Sequence, residues 1–123
     1  MDHGHAREIL EVERAQTLQR LEALVDEFNS IVTASMDSNA DDEHDPEGAT
    51  IAFERERTAA LRAQATTHLG DLDQALTRVA SGTYGTCIIC GGPVGAERLK
   101  VLPITQRCTA CAGSQRPPLA NRP

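Results

Sequence analysis

From His5 to about Met36 the chain runs without proline or glycine, and its apolar side chains recur at helical spacing. Leu18, Leu21, Val25, Phe28 and Val32 fall three or four residues apart, with Leu24 and Ile31 widening the stripe. That is the seam of a helix packed on one partner, not the alternation of a strand. The pattern returns from about Pro46 to Ala80. There Leu61, Ala65, Leu69, Leu72, Leu76 and Val79 share one face, Gly70 is the breaker in the middle, and Ala59, Ala60, Ala63, Ala75 and Ala80 favour helix and close packing. Asp45 before Pro46 and Glu47 reads as a start signal: a capping carboxylate, a proline in the first turn, an acid at the positive dipole end. Gly82 ends the second helix. Asp37 to His44 is a short connection, so the two helices are expected to fold back antiparallel. Each would be roughly 45–50 Å long at about 1.5 Å per residue.

After Gly82 the pattern changes. Arg98-Leu99-Lys100-Val101-Leu102-Pro103-Ile104 alternates polar and apolar before a proline, as a short strand would. Thr109-Ala110-Cys111-Ala112-Gly113 reads as one helical turn, and Pro117, Pro118 and Pro123 rule against a long final helix. The expected fold is mainly α: a long antiparallel two-helix coiled-coil hairpin over residues 1–81, with an acidic tip at 37–48. A small four-cysteine zinc ribbon follows at its base over 82–113, then a Pro-rich flexible tail over 114–123.

The chemistry lies in four cysteines arranged as two Cys-x-x-Cys pairs, Cys87/Cys90 and Cys108/Cys111, with seventeen residues between the pairs. A two-residue gap lets both sulfurs of a pair reach one ion from a single turn. Two such turns supply the tetrahedral thiolate set that Zn²⁺ accepts. Sulfur at all four corners leaves no place for water or substrate, which predicts one structural zinc and no enzyme. Gly91-Gly92-Pro93 after Cys90 suits a metal knuckle, since glycine supplies positive φ. A ribbon of roughly thirty residues has little core, so ligation would supply its folding free energy. Two disulfides are the rival, and they belong to oxidising compartments. Met1-Asp2-His3-Gly4-His5 has no basic n-region and no apolar h-region behind it, so a cytoplasmic location is expected and zinc is favoured.

Composition adds a charge gradient. The net charge of −6 splits into −4 over residues 1–36, −6 over 37–48, zero over 49–81 and +4 over 82–123. The basic end carries Arg98, Lys100, Arg107, Arg116 and Arg122. Residues 1–48 together hold −10, which argues against sequence-specific DNA binding. No apolar stretch approaches the length of a membrane span. Aromatics are nearly absent, only Phe28, Phe53 and Tyr84, so no globular aromatic core is expected, and aliphatic seams between helices need none. His3, His5, His44 and His68 are remote in sequence from the cysteine pairs, with His68 expected half-buried on the second helix.

Three readings meet at the tip. Asp37-x-Asn39-x-Asp41 begins like a calcium loop, but Asp42 stands where glycine is required and Gly48 where the bidentate Glu belongs. Asp45 and Glu47 are accounted for as helix-capping acids on a solvated loop. Alternatively Asp41, Asp42, Glu43, Asp45 and Glu47 form an acid cluster delivered to a distant basic or metal-containing site, with Asp41, Asp42, Asp45 and Glu47 as the candidate contacts; mutual repulsion makes that cluster costly. Composition leaves the last two open.

The hairpin followed by Gly82-Thr83-Tyr84-Gly85-Thr86-Cys87-Ile88-Ile89-Cys90-Gly91, then Arg98-Leu99, Pro103 and the second cysteine pair, resembles the DksA/TraR family of bacterial transcription regulators over roughly residues 10–112. Phe53-Glu54-Arg55-Glu56 is also similar. The resemblance implies a helical hairpin inserted through the secondary channel of RNA polymerase, its acidic tip near the catalytic Mg²⁺ and its globular base on the channel's rim. Family tips carry Asp-x-x-Asp-x-Ala; here Asp45 fits the first acid and Gly48 falls in the place of the second, while Asp42 and Asp45 keep the spacing without the alanine. The expectation is a non-enzymatic, monomeric regulator with RNA polymerase as partner. The alternative is a zinc-ribbon and coiled-coil adaptor for another protein.

Overall fold

The computed structural model describes residues 2–38 and 46–122. They form three α-helices, α1 His3–Ser38, α2 Pro46–Ser81 and α3 Ala96–Val101, with 3-10 turns at Thr109–Cys111 and Leu119–Asn121. No strand occurs among the described residues, and one isolated antiparallel bridge joins Thr86 to Pro93. The fold is mainly α, as the periodicity predicts.

Helix α2 opens on Pro46, whose missing N–H belongs to a position with no intrahelical acceptor. It closes in a Schellman motif. Gly82 takes φ 79, its N–H donates to Val79 O at 3.3 Å, and Thr83 N–H donates to Arg78 O at 2.9 Å. A side chain at that φ would be strained, which is why the helix stops where the glycine stands. The predicted cap at Asp45 lies outside the described residues.

Contacts divide the chain into two compact units, residues 15–70 and residues 1–14 with 71–123. In the first, Leu24 and Ala65 are buried. Leu18, Leu21, Val25, Phe28, Ile31, Val32, Leu61 and Leu69 are half-buried, so the seam read from the sequence faces the partner helix. Arg20 and Leu24 share a groove of about 400 Å³ with Leu61, Ala65 and His68, and the Arg62 guanidinium lies 5.8 Å from the Phe28 ring centre. Later residues of α1 thus meet earlier residues of α2, the signature of an antiparallel pair. Thr17 and Thr58 are also buried. Thr58 Oγ1 donates to Glu54 O at 2.9 Å, so the hydroxyl is satisfied within its own helix and the methyl is left to pack.

The second unit holds a larger core of Ala6, Leu10, Leu72, Ala75, Tyr84, Cys87, Ile89, Val94 and Leu99. Residues from α1 and α2 and residues of the cysteine module are therefore buried against each other, across residue 82. Arg14 Nε and Asp73 Oδ1 close the helix pair here at 2.6 Å.

The predicted strand at 98–104 is corrected: residues 96–101 are helix α3. Leu99 is 4 % exposed and Val101 78 %. A strand would put both on one face, whereas a helix turns them roughly 200° apart at 3.6 residues per turn. The segment Ala-Glu-Arg-Leu-Lys-Val is built of good helix formers, with Lys100 Nζ reaching Glu97 Oε1 at 3.3 Å.

Candidate metal centre

Each cysteine pair sits on a turn that its own backbone closes. In the first, Gly91 N–H donates to Cys87 O at 3.0 Å and Cys87 N–H to Gly92 O at 2.8 Å, with Gly91 at φ 76. Amides then point at the sulfurs. Ile89 N–H lies 3.4 Å from Cys87 Sγ and Gly92 N–H 3.4 Å from Cys90 Sγ. In the second pair, the 3-10 turn brings Cys111 N–H to Cys108 O at 3.0 Å, and Ile88 N–H to Gln106 O at 2.9 Å ties the two halves together.

The result is four sulfur atoms within 4.8 Å of one another. A tetrahedron with Zn–S of about 2.3 Å requires S···S separations of about 3.8 Å. Cys90 Sγ and Cys108 Sγ stand at 3.8 Å. A disulfide needs about 2.05 Å, and none of the four cysteines is disulfide-bonded, so the geometry favours the ion over the disulfide alternative. Among the described residues no other His, Cys, Asp or Glu group gathers in this way. The donor set fits one Zn²⁺, held as a closed structural ion rather than a catalyst.

Electrostatics explain why such a cluster wants a cation. Burial pushes the Cys87 thiol up, but N–H donors from Cys108, Cys90 and Ile89 and the Cys90 thiol outweigh it and bring it down to about 6. Cys111, hydrogen-bonded by the Cys108 thiol and further raised by burial and the other sulfurs, is pushed up to about 12. The cluster accepts a first negative charge readily and resists the last. A divalent ion removes that resistance.

Around the ligands the module is pinned by polar groups the sequence reading did not single out for this task. Tyr84 Oη donates to Pro103 O at 2.8 Å, and His3 meets its ring edge-on at 6.3 Å. Burial raises the Tyr84 phenol, partly offset by the Arg78 charge. Arg78 is lowered by desolvation, against the pull of Tyr84 and Asp71. Arg98 Nε donates to Arg107 O at 2.9 Å. No sequence signal marks these roles, since the partners lie nine residues apart for Arg98 and Arg107 and nineteen for Tyr84 and Pro103. Of the predicted tip residues, Asp41, Asp42 and Asp45 lie outside the described residues. Glu47 falls in the first turn of α2, with its side chain outside the description. His68 is half-buried in its groove, as expected.

Residues 82–116 match the family model described as the prokaryotic dksA/traR C4-type zinc finger. An uncharacterized protein of Bacillus subtilis (strain 168), YteA, is 38% identical over 65 residues, 53% of this chain and 27% of that protein. An uncharacterized protein of Aquifex aeolicus (strain VF5) is 41% identical over 44 residues, 36% of this chain and 30% of that one. The chain thus spans under a third of the length of these curated relatives. The solved structure of transcription factor DksA2 from Pseudomonas aeruginosa superposes with a TM-score of 0.76 at 24% identity, over 89% of this chain and 78% of that one. That likeness is one of fold.

Proposed function

We propose that this chain, whose cysteine module belongs to the DksA/TraR zinc-finger family and whose fold is that of DksA2, is a non-enzymatic transcription regulator. It binds RNA polymerase through the secondary channel and presents residues 37–48 near the catalytic centre, working in the cytoplasm as a monomer. The carrying observation is the conjunction of a helical hairpin fold shared over 89% of the chain with a matching four-cysteine module. A closed sulfur site has no open coordination position for substrate, which favours a regulator over an enzyme. Six acids with no base in residues 37–48 give the carboxylates needed to act on a basic or Mg²⁺-bearing centre.

The test pairs binding with transcription. The zinc-loaded chain should capture core polymerase and alter multi-round transcription from purified promoters. Asp42→Asn with Asp45→Asn should abolish the effect on transcription while leaving capture largely intact. Absence of capture by a folded, zinc-loaded chain overturns the proposal, and loss of capture in the double variant overturns the role given to the tip.

A further inference from the structure

Residues 117–122 return to the first cysteine knuckle and bond the backbone groups it leaves open. Leu119 N–H donates to Ile88 O at 2.7 Å. Arg122 Nη2 donates to Ile89 O at 2.6 Å, while its Nε holds Pro117 O at 3.0 Å. The Leu119 side chain closes on Gly91, where an added Cβ would lie 3.3 Å from Leu119 Cδ1. Pro118, Leu119 and Ala120 also share a cavity of about 300 Å³ with Cys87.

One peptide plane links these contacts to the metal site. The carbonyl of Ile88 and the N–H of Ile89 belong to the same amide. The carbonyl accepts from Leu119, and the N–H lies 3.4 Å from Cys87 Sγ. Donation to a carbonyl polarises its amide and strengthens the N–H on the other side. The next carbonyl, Ile89 O, is held by a guanidinium, a charge-assisted bond with a fixed fork geometry.

We propose that residues 117–122 are a strap that holds the first knuckle in its metal-binding geometry, with Arg122 as the positioning residue, and that the metal leaves when the strap undocks. The strap acts on Cys87 through the Ile88–Ile89 peptide and touches no sulfur by hydrogen bond. Its release leaves two consecutive carbonyls to water and frees the turn that carries two of the four ligands. This reading stands on the cysteine module alone and does not depend on polymerase as partner.

The experiment loads the full chain with Co²⁺, whose absorption bands report a tetrahedral thiolate site, and follows their loss to excess chelator. Arg122→Ala should release metal roughly tenfold faster, the scale of one charge-assisted hydrogen bond. Leu119→Pro deletes the donor to Ile88 O at the first position of a 3-10 turn, where proline's φ fits, and should release it severalfold faster. Arg122→Lys, which keeps the charge without the fork, should fall between Arg122→Ala and the unaltered chain. Arg116→Ala, an exposed neighbour, is the control and should stay within about twofold. Release within about twofold of the unaltered chain for both Arg122→Ala and Leu119→Pro overturns the strap. If Arg122→Ala fails to give the tetrahedral bands at all, Arg122→Lys decides: faster release supports the strap and an unchanged rate overturns it.

Discussion

Leu72 tests whether the cysteine module is built on the helices or merely attached to them. Its side chain is 0 % exposed and lies in the cluster that joins Ala6, Leu10 and Ala75 of the helices to Tyr84, Cys87, Ile89, Val94 and Leu99. Leu72→Ala removes three carbons, about 2.4 kcal/mol at about 0.8 kcal/mol each. The surrounding groups come from three helices and a metal-braced turn and cannot collapse freely, so a cavity cost lifts the total to about 3–4 kcal/mol. The assay is guanidinium unfolding in zinc-saturated buffer, read twice. Far-UV ellipticity follows the helices, and fluorescence of Tyr84 follows the module, since the chain has one tyrosine and no tryptophan. Both midpoints should fall together. Phe53→Ala removes a larger side chain that is 68 % exposed and should cost less than about 0.5 kcal/mol. A Leu72→Ala penalty below about 1 kcal/mol would refute the shared core. So would a helical midpoint that moves while the tyrosine signal stays put.

Two further expectations concern the same module. Burial holds the Tyr84 phenol above its ordinary value of 10.0, so the folded state disfavours the phenolate. The stability tied to that preference is fully present below pH 10.0 and is lost as pH rises from there through the folded value. Tyrosinate absorbance should therefore appear at higher pH in the native chain than in denaturant; a native midpoint at or below the denatured one contradicts the burial argument. Chelation of zinc should abolish the near-UV dichroism of Tyr84 and open all four thiols to a thiol reagent, and acidification should release the metal by protonating its thiolates. A metal-free chain that keeps the Tyr84 signal would show that the module needs no ion.

The hairpin was legible because helical periodicity survives over thirty residues, where chance alternation averages out. Its lower end was not. Ala6 and Leu10 are fully buried yet precede the first dense run of leucines, so the stripe read from Leu18 onward missed them. Thr17 and Thr58 were invisible for a different reason. A threonine counts as polar in a pattern, but once Thr58 bonds Glu54 O in its own helix what it presents is a methyl group. Helix α3 went wrong because six residues cannot distinguish a period of 2 from one of 3.6, and a proline such as Pro103 ends a helix as readily as a strand. The metal site was legible because ligand spacing is a covalent constraint that tertiary packing does not override. The arginines and the strap were not, because a hydrogen bond from a side chain to a distant carbonyl leaves no periodic trace.

The basic end shows that a charge count does not reveal what each charge holds. Five bases against one acid in residues 82–123 suggest a positive surface for docking. Yet Arg98 donates to Arg107 O, Arg122 to Ile89 O and Pro117 O, and Arg107 to Ser114 O. Lys100 pairs with Glu97 at 3.3 Å. Three of the five guanidinium or ammonium groups are thus committed to backbone carbonyls of the module itself, which fixes their rotamers and removes the freedom to follow phosphates. A small domain with little apolar core has a physical use for arginine that has nothing to do with a partner. A buried carbonyl needs a donor, and a guanidinium reaches farther and holds straighter than any other side chain. The positive charge of the finger is then first a consequence of bracing a metal site with few apolar residues.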